Sequence, residues 1–390
     1  MRAVLVSTGT TGDILPLVWL GKDLRRRGHA VTLALPPNYS ELVSSTGLLF
    51  APLGIPIESS AIRQAVTRMQ RKSLRNQLAE VFAGLAHHLP DTSEALKQLC
   101  VKADVLVSSA YQPAGRMVYD ATKIPFATVH LGPSVGPCPE DTRTFLAPLV
   151  NGARHRWGLQ PLHDPAGIDS ASPLLALHAI SRLAYKADAP DAPCHVTGFF
   201  FDVETPRTPL VLQRFLESGE RPIVSTFGSM VQENSIEVTR VFADAARELS
   251  LRIVIQWPWE TDEIRALQTY LSGHALVVGH VPHNVLFPRA HLVIHHGGAG
   301  TTAATLRAGV PSIVVPHILD QPQWAGILNA LGCAPDMILR SNLTVSALTA
   351  AIEHTLEIPS YRQAATCCAE HIRSESGVET AADLIETLVG

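Results

Sequence analysis

The sequence predicts an α/β protein made of two successive series of parallel βαβ units. Three observations carry this expectation. The chain has 390 residues, about two domains at roughly 100–200 residues each. Short apolar runs of buried-strand type alternate with amphipathic helical stretches, first over residues 1–130 and again over 222–315. Alternation of that kind is the signature of parallel strands joined by crossover helices. A proline-containing stretch at 198–209, with Pro206 and Pro209, separates the two series.

The elements follow in order. Residues 3–7 form a buried-type strand that runs into the turn Thr8-Gly9-Thr10-Thr11-Gly12-Asp13. Helical spacing over 14–27 stops at Gly28, a C′ glycine. Residues 30–35 and 48–53 are the next strands, and 61–89 reads as one long helix carrying Arg63, Arg68, Arg71, Lys72 and Arg75 on a solvated face or a basic rim. Strands are expected at 105–109 and 126–130. The stretch 132–188 is rich in Pro, Gly and Ser, with only short helical pieces. Beyond the linker come a helix at 210–218, a strand at 222–226, a helix at 235–249 and a strand at 251–256. Further strands at 276–279, 292–295 and 312–315 precede two closing helices, 360–373 and 378–388. A cleft is expected between the two halves.

Composition excludes several classes. With 46% hydrophobic and 17% charged residues the chain is not disordered. Its 31 basic and 35 acidic residues leave a net charge of −4, so no basic field for nucleic acid exists. No apolar run reaches the ~18 residues of a membrane-spanning helix. The six cysteines contain no CxxC pair, which argues against disulfide or zinc frameworks and suits a reducing cytoplasm; Cys367-Cys368 reads as two adjacent helix residues. The 17 histidines show no HExxH or zinc-like spacing, and there is no DxD.

The most informative segment is Val293-Ile294-His295-His296-Gly297-Gly298-Ala299-Gly300-Thr301-Thr302. An apolar strand ends in histidine, glycines let the backbone approach a ligand closely, and a helix then begins with free N–H groups and its positive dipole end. His295, Gly297, Gly298, Ala299, Gly300 and Thr301 together form a cradle suited to a diphosphate. Neither a P-loop nor a GxGxxG dinucleotide fingerprint is present. Some twenty residues on, Asp320-Gln321 follows another strand. The pair offers acceptors and donors for vicinal sugar hydroxyls, or caps the helix that follows.

On Val281-Pro282-His283, on His295 through Thr301, on Arg307-Ala308-Gly309-Val310-Pro311, on Asp320-Gln321 and on Gly9 through Leu17, the chain resembles family-one glycosyltransferases with the GT-B fold, the form seen in glycopeptide-antibiotic, sterol and rhamnolipid glycosyltransferases. The resemblance implies two facing Rossmann-like domains with a central cleft. Residues 1–205 would bind the acceptor and 206–375 the nucleotide-sugar donor, with 376–390 a helix packing back toward the first domain. It implies that His295, Ser229 and the Gly297–Thr301 amides contact the donor diphosphate, that Gly12 lets the N-terminal loop approach the donor, and that Val281 lies beside the nucleobase. It also implies that Asp320 and Gln321 hold sugar hydroxyls. Asp13 then looks like the general base, where many relatives carry His; it also stands where a helix N-cap would.

Two departures bear on the donor. Ala303 stands where an acid reading the ribose diol is often found, which permits a dTDP-deoxysugar as well as a UDP-sugar. His280 stands where plant-type relatives stack a Trp on the base, leaving Trp257 or Trp259 to cover it. His130, at a strand end, is a candidate acceptor contact. The expected activity is inverting, metal-independent glycosyl transfer, without cofactor, to a hydroxyl of a small apolar acceptor such as a natural product, lipid or sterol-like molecule; peripheral membrane contact is compatible with it. A sugar-nucleotide epimerase or hydrolase, and a non-catalytic nucleotide-sugar-binding protein, are the competing readings.

Overall fold

The computed structural model describes residues 1–390 except 134–139, 166, 186–192, 203, 205–206, 228–234, 258–267, 269–270 and 272. The chain falls into two compact units, one of Met1–Glu58, Lys72–Phe201 and Glu375–Gly390, the other of Ser59–Arg71 and Asp202–Ser374. The segment Ser59–Arg71 departs from a division into contiguous halves. The single helix expected over 61–89 is in fact two, Ser59–Met69 and Leu74–Cys100. Ser73 ends the continuity by acting as N-cap of the second helix, its side chain accepting the Asn76 N–H. The break frees the first helix to group with the other unit.

The first unit is a seven-stranded sheet of β1 (Arg2–Val6), β2 (Ala30–Leu35), β3 (Leu49–Pro52), β4 (Val105–Ser109), β5 (Phe126–His130), β6 (Leu175–His178) and β7 (Cys194–Val196). Their order is β3-β2-β1-β4-β5-β6-β7, and every pair is parallel. Every residue of β4 and β5 is buried, as expected for strands covered by helices on both faces. Strand β6 and the helix Glu140–Arg156 lie in the stretch 132–188 that sequence patterning reads as Pro-, Gly- and Ser-rich with short helical pieces, and β7 lies just beyond it. Leu-Ala-Leu-His and Cys-His-Val are too short to display a period; pairing of β6 with β5, and of β7 with β6, is what makes them strands.

The helix Gly377–Val389 belongs to this unit and packs on the helix Thr11–Arg26. Val378, Ala381, Ala382 and Ile385 share a core with Leu17, Leu20 and Leu24. Arg27 reaches Asp383 at 2.5 Å and Glu386 at 2.9 Å. Val378 and Ile385, at about 1.5–3 kcal/mol each for a buried aliphatic side chain, outweigh part-exposed ion pairs worth ~0–1 kcal/mol apiece. The docking is therefore chiefly apolar.

The second unit carries β8 (Ile223–Thr226), β9 (Ile253–Gln256), β10 (Ala275–Val278), β11 (Leu292–His295) and β12 (Ser312–Val314) in the order β10-β9-β8-β11-β12, again all parallel. Strand order reverses between β8 and β11 here, and between β1 and β4 in the first unit. The crevice beyond the carboxyl ends of the strands at such a reversal is where open α/β sheets bind ligands. The Thr8–Asp13 loop follows β1, and His295 ends β11 opposite Thr226 of β8. Among the described residues no helix is long and apolar enough to cross a membrane.

Candidate functional site

In the second unit the chain leaves β11 at His295, turns through Gly297 and enters the helix Ala299–Ala308 with Gly298 as N-cap. Gly297 has φ +86°, and a Cβ there would come within 2.9 Å of the Gln321 carbonyl oxygen and of Val314 Cγ1. A Cβ on Gly298 would lie 2.4 Å from His296 Nε2. At Gly300 it would meet nothing within 4 Å among the described residues. A helix N-terminus leaves its leading N–H groups without intrahelical partners, and Gly298 has no side chain to cap them. Those of Ala299, Gly300 and Thr301 are therefore donors for an anion, reinforced by the helix dipole.

His295 is fully buried. Its Nδ1 accepts the Gly297 N–H at 3.1 Å. Burial, with a smaller contribution from His283, pushes its pKa down to about 3. The ring is thus neutral, and a neutral imidazole that accepts at Nδ1 carries its proton on Nε2. That Nε2 is buried with no hydrogen-bond partner among the described residues, a preoriented N–H donor beside the helix N-terminus. His283 and His317 are likewise held down by burial, to about 3 and about 4. The site therefore presents N–H donors to an anion instead of cationic imidazoles. Thr302 Oγ1, also fully buried, has no partner among the described residues either.

Asp320 precedes the helix Gln321–Ala330 as its N-cap residue. The indole N–H of the fully buried Trp324 donates to Asp320 Oδ2 at 2.9 Å. Burial raises the Asp320 pKa, and the indole bond opposes that rise. Leu319, just before it, holds a left-handed φ of +55° that aims the turn. Gln321 differs from its sequence-level assignment in one respect. Its Oε1 accepts the N–H groups of His317 (2.7 Å) and Ile318 (3.1 Å), closing its own loop. Only its Nε2 is left for a ligand.

Val281 is buried, and its carbonyl accepts Gln256 Nε2 at 2.5 Å, while Gln256 Oε1 accepts the Thr226 hydroxyl at 2.9 Å. Trp257, directly after β9, is buried, with an indole N–H that has no hydrogen-bond partner among the described residues. Ser229 and Trp259 lie outside the described residues. Ala303 is buried in the helix behind the cradle.

In the first unit Asp13 is not the N-cap of the Thr11–Arg26 helix. Thr10 is, and Asp13 is the third residue of the first turn. Its Oδ2 accepts the Thr10 N–H at 2.8 Å and the Thr10 hydroxyl at 3.1 Å, while its own N–H donates to the Thr10 carbonyl at 2.9 Å. The carboxylate is thereby fixed over Gly9. Gly9 has φ +109°, and a Cβ there would lie 2.4 Å from Asp13 Oδ2. Tyr39 donates its hydroxyl to the Gly9 carbonyl at 3.1 Å. Burial, together with the charge of Asp13, raises the Tyr39 pKa. Gly12 is exposed.

His130 is buried, its ring stacked on that of His178 at 4.8 Å with Thr128 Oγ1 3.4 Å from Nε2. Burial holds His130 at about 3 and His178 at about 4, so both are neutral. Sequence reasoning missed Trp324, Gln256 and the His130–His178 stack. Only Trp324 left a trace, four residues after Asp320 on a helix. The other contacts join strands distant in sequence.

The family description "Glycosyltransferase family 28 N-terminal domain" matches residues 3–135. The C-terminal domain of the "Erythromycin biosynthesis protein CIII-like" family matches residues 241–387. The chain is 28% identical to the O-mycaminosyltylonolide 6-deoxyallosyltransferase of Streptomyces fradiae, over 99% of this chain and 97% of that protein. It is 26% identical to the sterol 3-beta-glucosyltransferase of Pichia angusta over 98% of its own length, but spans only 33% of that enzyme. The structure of the spinosyn rhamnosyltransferase SpnG superimposes with a TM-score of 0.78 at 22% identity, covering 100% of both chains. SpnG has also been solved with thymidine diphosphate and with spinosyn aglycone.

Proposed function

Because the chain belongs to the family-one glycosyltransferases of GT-B fold, we propose that it moves a sugar, with inversion, from a UDP- or dTDP-sugar to a hydroxyl of a small apolar acceptor. The observation that carries this reading is the His295 Nε2–H, buried, without a partner among the described residues and set by the Gly297 bond at the N-terminus of the Ala299–Ala308 helix. In the proposed mechanism the second unit holds the donor. The Ala299, Gly300 and Thr301 amides, the helix dipole and His295 meet the diphosphate and stabilise the charge that grows on it as the glycosidic bond breaks. Asp320 and Gln321 Nε2 hold sugar hydroxyls, and Val281 and Trp257 flank the base. In the first unit Asp13, held by Thr10, takes the acceptor hydroxyl proton as its oxygen attacks the anomeric carbon in line with the departing diphosphate.

The acceptor class is supported by the names of the relatives, one acting on a tylonolide and one on sterols. The SpnG complex with thymidine diphosphate supports the dTDP alternative, and the absence of an acid at Ala303 accords with it. The reaction needs no cofactor in this scheme, and the diphosphate charge is met by backbone and imidazole N–H groups.

A thermal-shift series with dTDP and UDP ranks the nucleotides through ligand-linked stabilisation. Incubation of the matching nucleotide sugar with hydroxylated macrolide and sterol acceptors, read by mass spectrometry, then tests transfer. A sugar-bearing acceptor of inverted anomeric configuration is expected. Conversion of the donor with no acceptor present would instead favour an epimerase or hydrolase, and nucleotide binding without turnover a binding protein.

A further inference from the structure

The two adjacent cysteines that the sequence presents as unremarkable neighbours are joined by a third in the second unit. Cys333 follows the helix Gln321–Ala330, and its Sγ lies 3.7 Å from Sγ of Cys368 on the helix Pro359–Ser374. Cys333 is fully buried and Cys368 nearly so, whereas Cys367 is exposed. Successive residues of a helix point about 100° apart, so Cys367 does not share the face that meets Cys333.

We propose that Cys333 and Cys368 are an oxidation site at which a peroxide closes an intramolecular disulfide. The Cys368 sulfur attacks the peroxide: an S–O bond forms, the O–O bond breaks, and hydroxide leaves as water with the thiol's proton. The Cys333 sulfur then attacks Cys368 Sγ. The S–S bond forms, the S–O bond breaks, and the second hydroxide takes the Cys333 proton. Two thiols lose two electrons and two protons, and hydrogen peroxide becomes two waters.

Three observations support the pairing. The sulfurs already touch and need only close to about 2.0 Å. The competing bridge, Cys367 to Cys368, would join Cα atoms ~3.8 Å apart, below the ~4.4 Å minimum of ordinary disulfides. The Cys333 S–H donates toward the Cys368 sulfur, and this bond lowers the pKa of the Cys368 thiol while raising that of Cys333. The thiolate is the nucleophile, so Cys368 reacts first and Cys333 resolves.

The bridge would tie two helices that back the donor cradle. The helix before Cys333 starts at Gln321, and the Cys333 carbonyl accepts the Ser312 N–H of β12 at 2.9 Å. The helix carrying Cys368 packs on Ala299–Ala308, with Arg373 Nε donating to the Arg307 carbonyl at 3.0 Å.

The test treats the full chain with a few equivalents of hydrogen peroxide, blocks residual thiols with N-ethylmaleimide and maps the digest by mass spectrometry. A Cys333–Cys368 cross-linked peptide is expected in the wild type and in C367S, absent in C333S and C368S, with Tm rising by several degrees and returning on reduction. Thiols that remain fully alkylated, a bridge through Cys367, or a Cys368 carried to sulfinate with Cys333 still free would each overturn the proposal. The wild-type map decides the matter even where a variant folds poorly.

Discussion

The Gly297 N–H donates to Nδ1 of His295 at 3.1 Å, and that bond places the proton of the neutral ring on Nε2. With Nδ1 occupied and the ring neutral, Nε2–H is a donor with no partner among the described residues. Replacing His295 by Ala should weaken nucleoside diphosphate binding by roughly 10–100-fold, the value of a hydrogen bond to a charged group at about 1.5–3 kcal/mol. Calorimetric titration measures this, with circular dichroism confirming the fold. Unchanged affinity would remove His295 from the cradle.

Asp13 holds the first turn of its helix through Thr10 and is also the proposed base. Two substitutions separate these roles. Asp13→Asn keeps an oxygen for the Thr10 N–H and should leave stability nearly intact while transfer falls by roughly 10²–10⁴-fold, the usual worth of general base catalysis. Asp13→Ala should lose the same activity and also about 0.5–2 kcal/mol of stability, as other lost helix caps do. An Asn variant with full turnover would leave Asp13 a purely structural residue.

Gly297 adopts φ +86° with the Gln321 carbonyl 2.9 Å from where a Cβ would sit. Gly297→Ala should cost roughly 1–3 kcal/mol through the strained backbone and open the cradle, because the contact is with backbone that cannot rotate away. A lower urea midpoint together with weaker nucleotide binding is the expected pair. A variant as stable and as tight-binding as the wild type would contradict the close approach.

Imidazoles whose pKa the fold depresses set an acid limit. His130, His283 and His295 are held at about 3, and His178 and His317 at about 4. In the unfolded chain each returns to about 6.5. As pH falls below 6.5 the unfolded chain binds protons that the folded chain refuses, so stability is greatest above that pH and is lost through the window from 6.5 down to about 4. Urea midpoints taken at pH 7, 6 and 5 should fall in that order. A flat or rising series would mean that these rings ionise inside the fold.

Much of the site is local and therefore legible. The strand ending in His295, the glycines that follow and the helix start at Ala299 are contiguous, so their chemistry can be read in a line. The Asp320-Gln321 pair is equally visible, but the use of Gln321 Oε1 to close its own loop is not, because that depends on how residues 315–321 curl. Asp13 looked able to cap its helix; the capping residue proved to be Thr10, since Thr11 and Gly12 are already helical.

By itself the sequence determined the α/β class, the place of most strands along the chain, the strand–glycine–helix run at His295 and the carboxylate at Asp13. Hydrophobic period and turn residues report local backbone and burial, and these features are local. Tertiary structure decided the remainder: that β6 and β7 are strands, that Ser59–Arg71 groups with the second unit, that Trp324 steadies Asp320, that His295 presents Nε2–H, and that Cys333 meets Cys368. Each of these rests on a pairing, a burial or a hydrogen bond that exists only once the chain has folded, and a tautomer or a sulfur contact leaves no mark on a period of apolar residues.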